Sequence, residues 1–236
     1  MKLDNGLRLT WLGHATVKLE FRGQTTLIDP WIMGNPGCPD ELKTFDRIDT
    51  MLITHGHFDH TSDAEELAKK HSPTVIGMVE VAGWLEKKGV QNTVGMNKGG
   101  TVEANGIKAT MVHANHSSSF TEDDGTTVYL GEPAGYVVEF PNGYKIYHAG
   151  DTNVFGDMQI IGSIYQPDLA MLPIGDHFTM GPREAAYAAE LLNVSAILPI
   201  HYGTFPLLTG TPDALRELTK SLDVEIVNLQ PGETLE

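Results

Sequence analysis

Two segments of this chain repeat one plan in the same order, and nothing else in the sequence constrains the fold as strongly. "VKLEFRGQTTLIDP" and "YVVEFPNGYKIYHAGDT" each run strand, Gly turn, strand, and each then reaches an aspartate, Asp29 or Asp151. Further on, "DTMLITHGHFDH" and "DLAMLPIGDHF" each run Asp, apolar strand, then Gly and His-Phe ahead of a helix. A repeated unit of this kind predicts two halves of related fold, each a sheet backed by helices. The competing reading is that short hairpins simply look alike.

The elements between these landmarks complete an α/β (α+β) pattern. "GLRLTWL", "TVKLEF" and "TTLIDP" read as strands, the last two joined by a turn at Arg22-Gly23-Gln24. The Gly- and Pro-rich stretch 31–45 reads as a loop. Strand "TMLIT" leads to a helix over about 63–70 with Thr61 or Ser62 as N-cap, then a strand at 74–76 and a helix over 79–88. "GIKATMVHA", "AGYVVEF" and "YKIYHAG" are extended, and the polar, acidic "SSSFTEDDGTTVYLGE" reads as a mobile loop. "DLAMLPI" precedes an Ala-rich helix opened by Pro182; "AILPI", a helix over 212–221 and a strand "VEIVNL" follow. No linker interrupts the chain, so 1–236 is expected to be one domain.

Composition narrows the function classes. With 31 acidic and 16 basic residues the formal net charge is −15, which opposes a long polyanion and argues against a nucleic-acid surface. A small anion remains within reach of a local cationic centre. The lone Cys38 excludes an intramolecular disulfide and a thiolate-rich zinc site, leaving a surface or packed thiol. No apolar run approaches the length of a membrane span, and "MKLDNGLRLTWLG" does not read as a signal peptide. A cytoplasmic protein without membrane contact is therefore expected.

The chemistry concentrates in "THGHFDH", which places His55-x-His57-x-Asp59-His60 directly behind an apolar strand. Side chains alternate in an extended segment, so His55 and His57 face one way and can share an ion. Asp59 and His60 point apart unless the chain turns, and the helix just beyond supplies a turn. The economical arrangement is two neighbouring metals. Zinc normally takes at least three protein ligands, so others must come from strand ends elsewhere. His116 in "HANHSSS", Asp151 in "HAGDT" and His201 in "LPIHYGT" are the candidates.

With these motifs the chain is identified as a member of the metallo-β-lactamase superfamily. "WLGHAT", "LIDP", "HAGDT", "PIGDHFTMGPREA" and "PIHYGTFP" are similar to small bacterial and archaeal metal-dependent hydrolases of undefined substrate. That group is related to ascorbate 6-phosphate lactonases and N-acylphosphatidylethanolamine phospholipases. The resemblance spans essentially the whole chain and implies a four-layer αββα sandwich with a dinuclear site at one edge. It implies His55, His57 and His116 on one ion, Asp59, His60 and His201 on the other, and Asp151 bridging both. His113 is the rival to His116, which the local "A-x-H-S" context favours. Asp29 matches a buried aspartate that orients a metal-binding His. His14 is either near the site or a packed structural histidine, and His148 belongs to the core or supports the site.

The function expected is hydrolysis of a small ester-like substrate, a phosphodiester or a lactone, by hydroxide bridging two divalent ions. Zinc or manganese leads for the metal, with nickel, iron or cobalt compatible with an all His and carboxylate set. Asp59 is expected to orient the hydroxide or take its proton. His177, standing where the first half has its "GHF" histidine, is a candidate substrate contact or proton donor, as is Tyr202. Phe58 is expected to pin the turn against the sheets, and loops 31–45 and 117–133 to set specificity. The competing class is a non-catalytic, metal-bound metabolite sensor or scaffold, which a full ligand set makes less economical. The family resemblance further implies a homo-oligomer.

Overall fold

The computed structural model describes residue 3 and residues 6–236. Strands β1 (Arg8–Trp11), β2 (Val17–Phe21), β3 (Gln24–Ile28), β4 (Thr50–Leu52), β5 (Thr74–Met78) and β6 (Thr93–Met96) lie side by side in one sheet. β7 (Thr101–Ala104) and β8 (Ile107–His113) begin a second sheet, and β9 (Ser119–Thr121) and β10 (Thr127–Tyr129) form a separate ribbon. The second sheet continues through β11 (Ala134–Glu139), β12 (Lys145–His148), β13 (Leu169–Pro173), β14 (Ala196–Ile200) and β15 (Glu225–Ile226). β16 (Thr234–Leu235) returns to the first sheet beside β1.

The two sheets repeat one pattern of pairing. From β16 through β1 and β2 to β3 every pairing is antiparallel, and from β3 to β6 every pairing is parallel. From β7 through β8 and β11 to β12 the pairings are again antiparallel, and from β12 to β15 parallel. The internal similarity of the sequence therefore corresponds to two sheets of the same plan.

Helices cover the outer faces. α1 (Phe58–Thr61), α2 (Ala64–His71) and α3 (Val79–Lys87) belong to the first half, and α3 lies on β5 and β6. α4 (Met158–Tyr165), α5 (Pro182–Leu192) and α6 (Pro212–Leu218) belong to the second half and pack in succession. Strands buried on both faces explain the near-continuous apolar runs of the sequence. β13 sends Leu169 and Met171 between the sheets and Ala170 and Leu172 under the helices, and β14 divides Leu198 and Ile200 from Ile197 in the same way. The result is the αββα order of layers. Tyr136 crosses between the sheets, its hydroxyl donating to the Ile53 carbonyl at 3.0 Å.

Loop 31–45 lies over a small cluster of Leu12, Leu27, Ile32, Cys38 and Ile48. Cys38 is a packed thiol, pushed up to about 11 by burial. Several local expectations change. Asp63, not Thr61 or Ser62, precedes α2, and its carboxylate accepts from the Ile32 and Met33 amides, tying the loop to the helix. Segment 117–133 holds the β9–β10 hairpin, not an irregular loop, and Glu122 in its turn accepts from Trp84 Nε1 at 2.6 Å and Lys88 Nζ at 2.7 Å. α4 has no strong sequence signal because "MQIIGSIY" carries Gly and β-branched residues; burial of Met158 and Ile161 outweighs propensity. The last expected strand shortens to β15. Among the described residues no helix is long and apolar enough to cross a membrane.

Candidate metal centre

The candidate ligands all stand at or just beyond strand ends. His55 and His57 follow β4, Asp59 and His60 sit in α1, His116 follows β8, Asp151 follows β12 and His201 follows β14. Parallel pairing of β3 with β4, of β12 with β13 and of β13 with β14 brings these ends to one edge of the sandwich. Backbone hydrogen bonds stitch the halves together there. The Ala134 amide donates to the Thr54 carbonyl at 3.0 Å, and the His201 amide to the His14 carbonyl at 2.9 Å.

The side chains form two sets around Asp151. His57 Nδ1 lies 3.1 Å from His55 Nε2 and 3.3 Å from His116 Nε2. Asp151 Oδ2 stands 4.0 Å from His55 Nε2 and 3.7 Å from His116 Nε2. On the other side, Asp151 lies 3.3 Å from His60 Nε2 through Oδ1 and 3.0 Å from His201 Nε2 through Oδ2. Asp59 Oδ2 completes that set, 3.7 Å from His201 Nε2 and 4.0 Å from His60 Nε2. Ligand atoms sharing one zinc-sized ion, with bonds of ~2.0–2.2 Å, stand ~3.0–3.5 Å apart, so the spacings within each set are close to those a shared cation requires.

Supporting hydrogen bonds decide which nitrogen faces inward for three of the rings. Asp29 accepts from His60 Nδ1 at 2.8 Å, which leaves Nε2 as the lone pair. The Thr54 hydroxyl donates to Asp29 at 2.6 Å and lies 3.1 Å from His55 Nδ1, so that ring is held the same way. His57 is reversed: its Nε2 meets Ser117 Oγ at 3.2 Å and its Nδ1 is directed at the cluster. Five rings and two carboxylates thus converge with their free atoms inward.

Those inward atoms are not otherwise used. His60 Nε2, Asp151 Oδ1 and His201 Nε2 are buried with no well-aligned hydrogen bond, held only by ion-pair contacts within the cluster, a costly state that a bound cation would relieve. Nitrogen and carboxylate donors of this kind suit a divalent transition metal. Burial lowers His55, His57 and His116, whose rings are therefore neutral and ready to donate lone pairs. Burial would raise Asp59 and Asp151, but the surrounding histidines hold both well below the usual carboxylate range. For His201, burial is outweighed by Asp151 and Asp59, which hold it up to about 9. His60 is raised for the same reason, with Asp29 adding to the pull.

His14 proves to be a neighbour of the cluster. Fully buried in the turn between β1 and β2, it meets Asp59 Oδ2 through Nε2 at 2.9 Å and packs on the His201 ring at 3.9 Å between centroids. His14, Asp29 and His201 all adopt left-handed backbone angles, with φ of 54°, 49° and 54°, a strained choice for such residues. His148 is buried behind the site. Its Nε2 donates to the Ala15 carbonyl at 3.0 Å while Nδ1 accepts from the Gly150 amide at 3.1 Å, which fixes the turn carrying Asp151.

Other expected residues lie elsewhere. His113 is exposed on β8, takes a hydrogen bond from Lys98 and does not join the cluster. His177 is exposed, while its neighbour Phe178 lines the cavity above the ligands. Tyr202 stacks on Trp11 at 5.3 Å and, with His14, lines a second cavity. Phe58 does not pin the turn inward. It is 54% exposed and forms part of the cavity wall, meeting Trp31 edge-on. Of the two loops expected to shape the site, 117–133 contributes Ser117 and 31–45 acts through the packing of Trp31. The rest of the wall is Phe178, Phe205, Pro206 and Leu207.

Comparison with known proteins agrees with this fold. The family model described as the β-lactamase superfamily domain matches residues 24–202. A UPF0173 metal-dependent hydrolase of Koribacter versatilis is 55% identical over 230 residues, covering 97% of both chains. Another, from Rubrobacter xylanophilus, is 49% identical over 233 residues, or 98% of this chain and 96% of the relative. Among solved structures, a metallo hydrolase from the archaeon Ignicoccus hospitalis superposes with a TM-score of 0.85 at 35% identity, over 97% of each chain.

Proposed function

Because the chain belongs to the UPF0173 metal-dependent hydrolases of the β-lactamase superfamily, we propose that it cleaves an ester-like bond, in a lactone or a phosphodiester, with two divalent ions. His55, His57 and His116 would hold one ion, Asp59, His60 and His201 the other, with Asp151 shared between them. The observation that carries this reading is the set of buried atoms His60 Nε2, Asp151 Oδ1 and His201 Nε2, none with a well-aligned hydrogen bond, converging below one open cavity. Two such ions supply hydroxide at neutral pH and draw charge from the electrophilic oxygen.

The protein's own side chains do the positioning. Asp59, kept ionised by its histidine neighbours and fixed by His14, lies at the cavity floor and accepts a hydrogen bond from the attacking water. Asp29 and Thr54 keep His60 and His55 aimed, so the site is assembled before substrate arrives. Of the two acids expected for the leaving group, neither lines this cavity, and the leaving oxygen takes its proton from solvent. The test is Asp59→Asn in protein whose metal content is verified by elemental analysis. We expect kcat to fall by about 10²-fold or more with two ions per chain retained. Unaltered turnover in that variant would remove Asp59 from the mechanism.

A further inference from the structure

The cavity whose floor is the ligand cluster has walls of carbon. Its volume is about 680 Å³, within the ~300–1,000 Å³ typical of small-molecule sites. Phe58, Phe178 and Leu207 stand around it 54%, 49% and 51% exposed, with Phe205 and Pro206 in the same wall. Scattered exposed apolar residues are ordinary; several converging on one cavity mark a binding surface. Apart from Ser117, the polar side chains lining it are His57, Asp59, His116, Asp151 and His201, and among the described residues no Lys or Arg lines it.

The wall is also built to keep its shape. Trp31, itself buried, stacks on Phe205 with ring centroids 5.6 Å apart and meets Phe58 edge-on at 5.8 Å. His14 closes the back of Phe205 at 5.4 Å. An apolar surface braced from behind stays open for a ligand, and little ordering is left to be done on binding.

We infer that the substrate is a carboxylic ester or lactone bearing an uncharged apolar chain or ring, which seats against Phe58, Phe178, Phe205 and Leu207 while the ester group faces the cluster. This rests on the hydrolase reading above. A polyol or sugar phosphate would lay hydroxyls and charge against carbon, with no cationic side chain to meet them. A phosphodiester would likewise find no Lys or Arg to hold its anion. In the reaction so defined, the oxygen of water bonds to the acyl carbon and the bond to the alcohol oxygen breaks. The alcohol oxygen takes a proton from solvent, the attacking water returns one proton to solvent, and its other proton leaves as the carboxylic acid ionises.

The test uses the metal-loaded protein with p-nitrophenyl acetate, butyrate, hexanoate and octanoate, beside bis-p-nitrophenyl phosphate. The kcat/KM should rise about three- to four-fold per methylene that the cavity buries, and Leu207→Ser and Phe178→Ser should each lower the octanoate-to-acetate ratio. Binding of N-octylacetamide against N-ethylacetamide, measured by calorimetry, reads the cavity without turnover and should favour the octyl compound at least about tenfold. Ester turnover with a flat or falling dependence on chain length overturns the inference and leaves the hydrolase reading standing. Faster turnover of the phosphate than of any ester also overturns it. Tight octyl binding with no hydrolysis of any probe supports the cavity's preference and counts against the hydrolase reading instead.

Discussion

The loops that follow β4 and β13 stand at matching places in two sheets of the same plan, yet only one carries ligands. After β4, His55, His57, Asp59 and His60 all contribute to the cluster; after β13, Phe178 alone reaches the cavity. Both loops need a glycine for close packing. A Cβ at Gly56 would lie 2.5 Å from Leu130 Cδ1, and one at Gly175 would lie 2.2 Å from the His201 carbonyl oxygen. Past the glycine the loops diverge, because Asp176 is one residue extra before His-Phe. Asp176 and His177 both take left-handed angles, φ 67° and 56°, and the His177 side chain ends up in solvent. At this matched pair of loops, the first supplies candidate ligands and the second supplies a wall for the space above them.

The two matching aspartates divide in the opposite sense, and that division can be broken experimentally. Asp151 belongs to the cluster and faces both ligand sets, whereas Asp29 stands behind it and bonds His60 and Thr54. Asp151→Ala should therefore abolish loading of both sites, with metal content falling from two ions per chain toward none and kcat/KM dropping at least about 10³-fold. Asp29→Ala should leave the ligand count intact but weaken metal affinity by about 10–100-fold, as loss of a supporting acceptor does. Competition with a fluorescent chelator measures both. Equal effects from the two variants would erase the distinction.

The same contrast has a pH signature in metal-free protein. Burial pulls His201 down, but Asp151 and Asp59 outweigh it and raise it from the usual 6.5 to about 9. A group whose pKa rises on folding stabilises fully below its unfolded value, and that contribution is lost as pH climbs through the folded value. The metal-free protein should thus lose on the order of 3 kcal/mol between pH 6.5 and 9, seen as a falling Tm. Loading replaces the proton on His201 with a cation, so the loaded protein should show little of this loss. Parallel falls in both forms would place its origin outside the cluster.

How much of this could be read in the sequence follows from what is local. His55, His57, Asp59 and His60 were legible because one short loop carries them, and the sheets because β-strands and turns leave a periodic trace. The support around the cluster was less legible. His14 finds Asp59 across 45 positions, and Ser118 accepts from the Gly56 amide across 62, so neither pairing leaves a pattern along the chain. The apolar wall was missed for a related reason. Phe205, Pro206 and Leu207 read as an ordinary loop after His201, and only the meeting of this loop with α1 and the β13 loop makes them a surface. The duplicated "His-Phe" pair held a usable signal: both Phe58 and Phe178 line the cavity, while the extra Asp176 separates the fates of the two histidines.

That separation yields the smallest expected effect. If His177 is a bystander displaced by Asp176, His177→Asn, which tolerates the left-handed angle, should change kcat/KM by less than about twofold. Deleting Asp176 tests the same point from the other side, since it restores the Gly-His-Phe spacing of the first half. A fall of about 10²-fold in kcat for His177→Asn, with KM and metal content unchanged, would instead make His177 a proton donor that closes over the cavity with substrate bound. A pH profile distinguishes these outcomes. A donor would contribute a basic limb to kcat that the Asn variant lacks, whereas a bystander leaves the limb in place. Because the imidazole is exposed in the free protein, only the substrate complex can bring it into play, and the profile of kcat rather than of kcat/KM is the decisive one.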